Sequence, residues 1–247
     1  LLGGGCTRGR GVKISLAHTY NDIISVENLC LAWEEFIVGK KKKVDVVLFS
    51  RNLMDNIIEL HESLVNKTYR HGGYESFFVN DPKRRHIHKA SVKDRLLHHA
   101  VYRILYPFFD RTFIVDSYSC RNDKGTHKAI ARFRALANQV SSNYTHTCWV
   151  LKCDIRKFFA SIDHKILLSI LKEYIPDQDI LWLLQNIIAS FETVRPHPNL
   201  LLTGEGAAKP SPQGEGRVRS GIGLPLGNLT SQLFANIYMN KFDQWVK

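Results

Sequence analysis

The sequence of 247 residues contains no apolar run approaching the ~18 residues that a membrane-spanning helix needs, so no transmembrane helix and no membrane partner are expected. Its first residues, LLGGGCTRGRG, lack the apolar core of a secretory signal. Cysteine is sparse and odd in number: Cys6, Cys30, Cys120, Cys148 and Cys153, with no C-x-x-C. That excludes a disulfide framework and a structural zinc site, and it fits a reducing interior, the cytoplasm. Cys30, Cys148 and Cys153 read as small buried hydrophobes. No segment matches G-x-x-x-x-G-K-[ST], so there is no P-loop. Acidic residues are outnumbered, 23 against 34 Lys and Arg, for a net charge of +11.

What is present bounds the class. Hydrophobic residues make up 44% and charged residues 23%, which excludes wholesale disorder. The length suits one large domain or two small ones. A strongly basic chain points to a polyanion, and nucleic acid is the default because Lys and Arg neutralise phosphates and release counterions. The plainer reading is a solvated basic surface. An anionic membrane is disfavoured, because no basic amphipathic helix carries a bulky apolar face.

Along the chain, residues 1–25 read as a flexible N-terminal segment, Gly- and Arg-rich over 1–13. Ser25 opens a helix with Val26, Leu29, Trp33 and Ile37 at helical spacing, and Gly39 ends it. Lys40 to Lys43 are a solvated helix end or a phosphate contact. Ser50 is read as the cap of a second helix carrying Leu53, Ile57, Leu60 and Leu64. Tyr74 to Val79 and Arg84 to Lys89 read as the strands of a hairpin around the turn Asn80-Asp81-Pro82-Lys83. Helices follow over Asp94–Phe109 and Thr126–Val140, a strand over Cys148–Cys153, a helix capped by Asp163, another over Asp177–Ser190, and a last one over Leu229–Val246. Residues 195–220 differ: they hold four of the eight prolines and an internal echo, Gly204-Glu205-Gly206 and Gly214-Glu215-Gly216. They read as an inserted low-complexity loop, like the translation of a short repetitive DNA element.

Two constellations carry chemistry. The first is Leu151-Lys152-Cys153-Asp154-Ile155-Arg156-Lys157-Phe158-Phe159, a strand expected to deliver Asp154 at its carboxyl end with two aromatics behind it. A carboxylate so placed suits a hard ion such as Mg²⁺, which takes oxygen ligands; a lone Asp there is otherwise a turn residue, and Asp163 reads as an N-cap. The second is Gly223-Leu224-Pro225-Leu226-Gly227-Asn228-Leu229-Thr230-Ser231-Gln232, a Gly/Pro loop running into a helix. Glycine allows close backbone approach, and a helix N-terminus favours negative charge; the plain alternative is an ordinary junction.

Together and in this order the two segments resemble reverse transcriptases, RNA-directed DNA polymerases. Upstream, Pro82 to His88 resembles that family's fingers hairpin, and Val92 to Ala100 the helix after it. Phe113 to Arg121 with Lys124 to His127 resembles its next block. The resemblance covers about residues 26 to 247 outside 195–220. It implies an α+β right-hand polymerase fold: N-terminal helices and fingers over 26–140, part of a palm over 141–194, and the nucleotide-side loop and helix over 221–247. It implies that Asp154 binds both catalytic Mg²⁺ ions, with the Ile155 carbonyl completing one shell, and that Phe159 is the gate against a ribose 2′-OH while Phe158 packs in the core. Arg85, more than Lys83, would contact the triphosphate, and Leu226 and Gly227 would line the dNTP site. His86 and His88 would share a strand face, with core or RNA-facing roles likelier than metal binding.

The loop-helix pattern, an aliphatic residue before Gly227 and Ser231-Gln232 in place of Ser-Pro, is similar to the enzymes of diversity-generating retroelements. That subclass implies a template RNA copied with errors at adenines, retrohoming, and a small basic accessory variability protein. Group II intron or defence-type enzymes, and an inactive remnant that only binds RNA, are the alternatives. The family's Tyr-x-Asp-Asp motif is absent from the sequence. Leu1 in place of Met, and Lys247 within a helical pattern, read as a fragment without a thumb, inactive alone.

Overall fold

The computed structural model describes residues 14–80, 82–191, 193 and 221–247. The expectations for 1–13 and 195–220, and for Asp81 in the hairpin turn, lie outside the described residues. In chain order the elements are α1 (Tyr20–Ile24), α2 (Val26–Phe36), α3 (Val44–Ser50), α4 (Leu53–Val65), β1 (Tyr74–Asn80), β2 (Arg84–Ala90), α5 (Val92–Asp110), α6 (Thr126–Val140), α7 (Phe158–Ser161), α8 (His164–Tyr174), α9 (Gln178–Ala189) and α10 (Leu229–Val246). Helix and strand are mixed, and no described helix is long and apolar enough to cross a membrane.

Local chemistry sets the boundaries. Ser25 accepts from the Asn28 N–H, Ser91 from Asp94, Asp163 from Lys165 and Ile166, and Asp177 from Asp179 and Ile180. Each cap satisfies amide groups that the first helical turn leaves without partners. Ser50 departs from its expected role. It ends α3, and its hydroxyl donates to the Val47 carbonyl at 2.8 Å, so it is not the acceptor that opens α4; Asn52 stands there instead. Lys40 ends α2 by donating to the Phe36 carbonyl at 2.8 Å, a cation at a helix C-terminus.

Helix α5 is the centre of the core. Leu96, Leu97, Ala100, Val101, Leu105 and Phe109 are buried on it, and it packs against α2 on one side and α10 on another. Helix α10 also meets α8, and α8 meets α9. Residues 14–25 are not a flexible lead-in. Leu16 and Tyr20 are buried, the Leu16 amide donates to Tyr174 at 2.8 Å, and the Tyr20 amide donates to Asp177 at 2.7 Å. Apolar burial at Leu16, Tyr20, Ile23 and Ile24 outweighs the flexibility inferred from the glycines upstream.

The only sheet among the described residues is the antiparallel hairpin β1–β2, in the register Phe78↔His86. The strand expected over Cys148–Cys153 is not formed: residues 147–155 belong to no helix or strand and make no ladder bonds among the described residues. A strand needs a neighbour to take its amide and carbonyl groups, and no described strand lies beside it. Trp149 and Leu151 are 92% and 89% exposed, and Cys153 is exposed rather than buried. Cys30 and Cys148 are half-buried.

Candidate nucleotide and nucleic-acid site

The site is organised by the Gly/Pro loop at 221–228. Its first half is tied to the start of α8. The His164 amide donates to Gly221 at 3.0 Å, the Gly223 amide to Ile162 at 2.8 Å, and the Leu224 amide to the Phe159 carbonyl at 2.8 Å. The His164 ring nitrogen Nε2 contacts the Gly223 carbonyl at 2.7 Å. The Thr193 amide donates to the Ile222 carbonyl at 2.8 Å.

The second half of the loop docks on the hairpin. The His88 amide donates to the Leu226 carbonyl at 2.8 Å, and the Asn228 side-chain amide donates to the His88 carbonyl at 2.8 Å. Both backbone groups of His88 are thereby used by the loop, as in the addition of a short strand to a sheet edge. Gly227 sits between them at φ +106°, where a Cβ would lie 2.7 Å from Ile87 Cγ2. The residue must therefore be glycine, for space as well as for dihedral. Arg85 lies two residues from Ile87 on the same hairpin face, since the pairs Phe77↔Ile87 and Val79↔Arg85 alternate with those of the other face.

The structure thus gathers Phe159, Leu226, Gly227 and the Arg85 face of β2 around one loop. Phe159 and Phe158 are both half-buried against the core, with ring centroids 5.7 Å apart, and Phe158 also meets Tyr238 of α10. Arg85 and Lys83 are exposed, without an acidic partner among the described residues. Asp154 and Ile155 are not fastened to this group. Both are exposed, and Asp154 makes no hydrogen bond or ion pair among the described residues. Between them and α7, Lys157 adopts a left-handed conformation, φ 54°, which turns the chain into the short helix.

The hairpin itself is anchored by a buried polar cluster that the sequence reading overlooked. The Asp94 carboxylate, 2% exposed, accepts from the Tyr69 hydroxyl at 2.7 Å, the Gly72 amide at 3.1 Å and the Ser91 hydroxyl at 2.7 Å. It therefore holds the chain just before β1 and just after β2. His71 Nδ1 lies 3.8 Å from the same carboxylate, and its Nε2 is 3.2 Å from Nε2 of buried His98. Burial, with His71 beside it, holds the His98 imidazole well below its usual value, so it is neutral. The Tyr74 hydroxyl meets Ser190 Oγ at 2.7 Å, and burial pushes its phenol up to about 12. The signal that would have found Asp94 is Ser91-x-x-Asp94, the capping-box spacing; Asn228 carried none beyond following Gly227.

The block Phe113 to Arg121 docks nearby. The Arg121 guanidinium, almost buried, pairs with Asp110 at 2.7 Å and donates to the carbonyls of Ile114 and Ser117. That hydrogen bond holds the Asp110 carboxyl below the usual carboxylate range. Asn236 and Asn240 of α10 reach Ser119 O at 2.8 Å and Thr112 Oγ1 at 3.3 Å. No group of three or more His, Cys, Asp or Glu side chains that could hold a metal ion comes together among the described residues, His86 and His88 included.

Known proteins resemble this chain over part of their length. Escherichia coli protein YkfC is 24% identical over 170 residues, 66% of this chain and 38% of that protein. The putative COX1/OXI3 intron 1 protein of Saccharomyces cerevisiae is 24% identical over 173 residues, 68% of this chain and 18% of its own. The Arabidopsis thaliana nuclear intron maturase 1, mitochondrial, is 26% identical over 94 residues, 38% of this chain and 12% of its own. The chain spans less than two-fifths of the length of these curated relatives. A chain of the partial Cas6-RT-Cas1–Cas2 complex superposes with a TM-score of 0.52 at 21% identity, covering 92% of this chain and 35% of that one. The family model described as reverse transcriptase (RNA-dependent DNA polymerase) matches residues 78–247, from the middle of β1 through the whole of α10. Since that match covers more than half of the chain, with most of the hairpin, the Asp154 segment and the 221–228 loop, the chain belongs to the reverse transcriptase family.

Proposed function

We propose that this chain forms the nucleotide-selecting part of an RNA-directed DNA polymerase. The observation that carries the reading is the 223–228 loop, bonded at one end to the Phe159 carbonyl and at the other to His88 of the hairpin that bears Arg85. In this reading the hairpin acts as the fingers, and Arg85, with Lys83 behind it, meets the triphosphate. A guanidinium offers a planar fork of donors that a phosphate can accept. The Phe159 ring, set by the Leu224 amide on its carbonyl, stands under the sugar and excludes a 2′-OH. Leu226 and Gly227 form the floor beside it. Template RNA, the RNA–DNA duplex and dNTPs are the polyanionic partners that the net charge of +11 favours.

The family's chemistry uses Mg²⁺, which requires near-octahedral oxygen ligation. The described residues offer the Asp154 carboxylate and the Ile155 carbonyl, and no group of three or more His, Cys, Asp or Glu side chains forms around them. Two donors do not make a site for a pair of ions, and no catalytic step follows from them alone. The purified chain is therefore expected to bind a template–primer duplex, with affinity falling steeply between 50 and 200 mM salt (roughly, as expected for several phosphate contacts), and not to extend the primer. Absence of binding in fluorescence anisotropy would overturn the reading. Extension above background would overturn the claim about Asp154.

Within the family, the Leu226-Gly227-Asn228-Leu229-Thr230-Ser231-Gln232 pattern supports the diversity-generating subclass, with mutagenic retrohoming and a small basic accessory protein as partner. Leu226 then loosens base selection, because Leu cannot donate a hydrogen bond near the sugar as Gln can. Leu226→Gln, placed in a polymerase-competent form of the protein, is expected to lower errors at adenines in sequenced cDNA; an unchanged error spectrum counts against it. A second reading, an intron- or defence-associated enzyme, is favoured by the names of the relatives, which include intron proteins and a Cas6-RT-Cas1–Cas2 complex.

A further inference from the structure

The hairpin has two faces, and only one of them turns to the loop. On the other, the cross-strand pairs are Ser76↔His88, Phe78↔His86 and Asn80↔Arg84. Their side chains form a column. The Arg84 guanidinium carbon lies 4.0 Å from the Phe78 ring centroid, and Phe78 stacks on His86 at 4.5 Å with 13° between the planes. His86 meets His88 at 4.3 Å, His88 meets Phe191 at 4.7 Å, and Phe191 meets Tyr74 at 5.6 Å. The inner end is thereby rooted at the base of the hairpin, where Tyr74 is bonded to Ser190. The outer end is open: Phe78 is 54% exposed, and Arg84 and His86 are exposed. Arg84 has no acidic partner among the described residues.

We propose that the Arg84–Phe78–His86 face binds an unpaired nucleobase of single-stranded RNA, stacked on the open end of the column. The inference rests on the RNA-directed reading above and adds to it a contact on the hairpin face opposite Arg85. A flat cation on an aromatic ring matches the π-face that every base presents, so binding here is tolerant of sequence. An unpaired base is required, because a base within a duplex is covered on both sides and aromatic side chains reach only bases that can splay out. The surplus of positive charge on the chain, and Arg84 without an acidic partner among the described residues, suit the phosphates of the same strand.

The test uses the whole purified chain and a single-stranded RNA carrying one 2-aminopurine, read by anisotropy and by fluorescence quenching. The unaltered protein is expected to quench the probe. Phe78→Val keeps a strand-forming apolar residue without the ring, and Arg84→Lys keeps the charge without the plane. Each is expected to weaken binding about tenfold, the size of one lost base stack, and to abolish the quenching, with the thermal midpoint unchanged. Binding within twofold of the unaltered protein with quenching intact overturns the proposal and leaves Phe78–His86 as a strand pair only. Equal competition by duplex RNA overturns the requirement for an unpaired base. Single-stranded DNA bound as tightly, with the same losses, overturns the assignment to RNA. If the unaltered chain binds no RNA at all, the RNA-directed reading itself fails, an outcome distinct from normal binding by both variants.

Discussion

Residues 221–228 and residues 148–157 are expected to flank one reaction centre, yet they are anchored in opposite ways. The first stretch spends its backbone groups on Ile162, Phe159, Thr193 and His88, and Leu224, Asn228 and most of its neighbours are buried. The second has no ladder bonds and exposes Trp149, Val150 and Leu151. The 221–228 loop is thus built into the folded core, whereas the Asp154 carboxylate sits on a segment that no described strand holds in place. Apolar residues on both faces of that segment fit a strand covered on two sides.

Experiments can break or sharpen this contrast. The largest effect is expected from Asp94→Ala, which leaves the Tyr69 hydroxyl, the Gly72 amide and the Ser91 hydroxyl without their acceptor beneath the hairpin. A loss of about 3 kcal/mol in urea unfolding follows from several buried donors left unpaired; a loss under about 1 kcal/mol would mean that the hairpin base is held by other contacts. Gly227→Ala comes next, because it meets both the left-handed backbone and the Ile87 methyl. It should cost about 2 kcal/mol, and a neutral result would show that the loop is free to shift off β2.

A smaller change is expected with pH. Burial, then Lys40 and Arg95, lowers the His99 imidazole to about 4, and burial lowers His98 in the same direction. Their folded-state values lie below the unfolded one, so the unfolded chain binds more protons as pH falls. Stability should be full above about pH 6.5 and decline towards pH 4, and His99→Leu should flatten that decline in a series of thermal melts. The smallest effect is expected at Trp149→Ser: with the side chain 92% exposed, stability should change by no more than about 0.5 kcal/mol. A larger loss would mean that the 148–157 segment is already packed in solution.

The elements that sequence made legible are those whose signals are local. The caps Ser25 and Asp163, the hairpin strands and the apolar periodicity of α4, α5 and α10 each act within a few residues. Ser50 differs from its expected role because a hydroxyl at the end of one helix looks like the start of the next. Cys148–Cys153 forms no strand because β propensity expresses a fit to neighbours, and none is described there. In the site, Phe159, Leu226 and Gly227 stand out as motif residues, and the structure places them around one loop without testing their roles. Ser91-x-x-Asp94 marks the cap alone; the bonds of Asp94 to Tyr69 and Gly72, and those of Asn228, depend on contacts across the chain, which no spacing encodes.

The hydrogen bond from Thr193 to Ile222 has a consequence for how this gene can change. It holds together the two ends of everything that lies between those residues. Joining fixed ends costs entropy that grows only with the logarithm of the intervening length, about 0.6 kcal/mol for each doubling. DNA added at that point, in frame, therefore lengthens the protein at almost no expense to its fold. A junction pinned in this way lets the intervening length change while the bonds of the 221–228 loop to Phe159 and His88 stay in place.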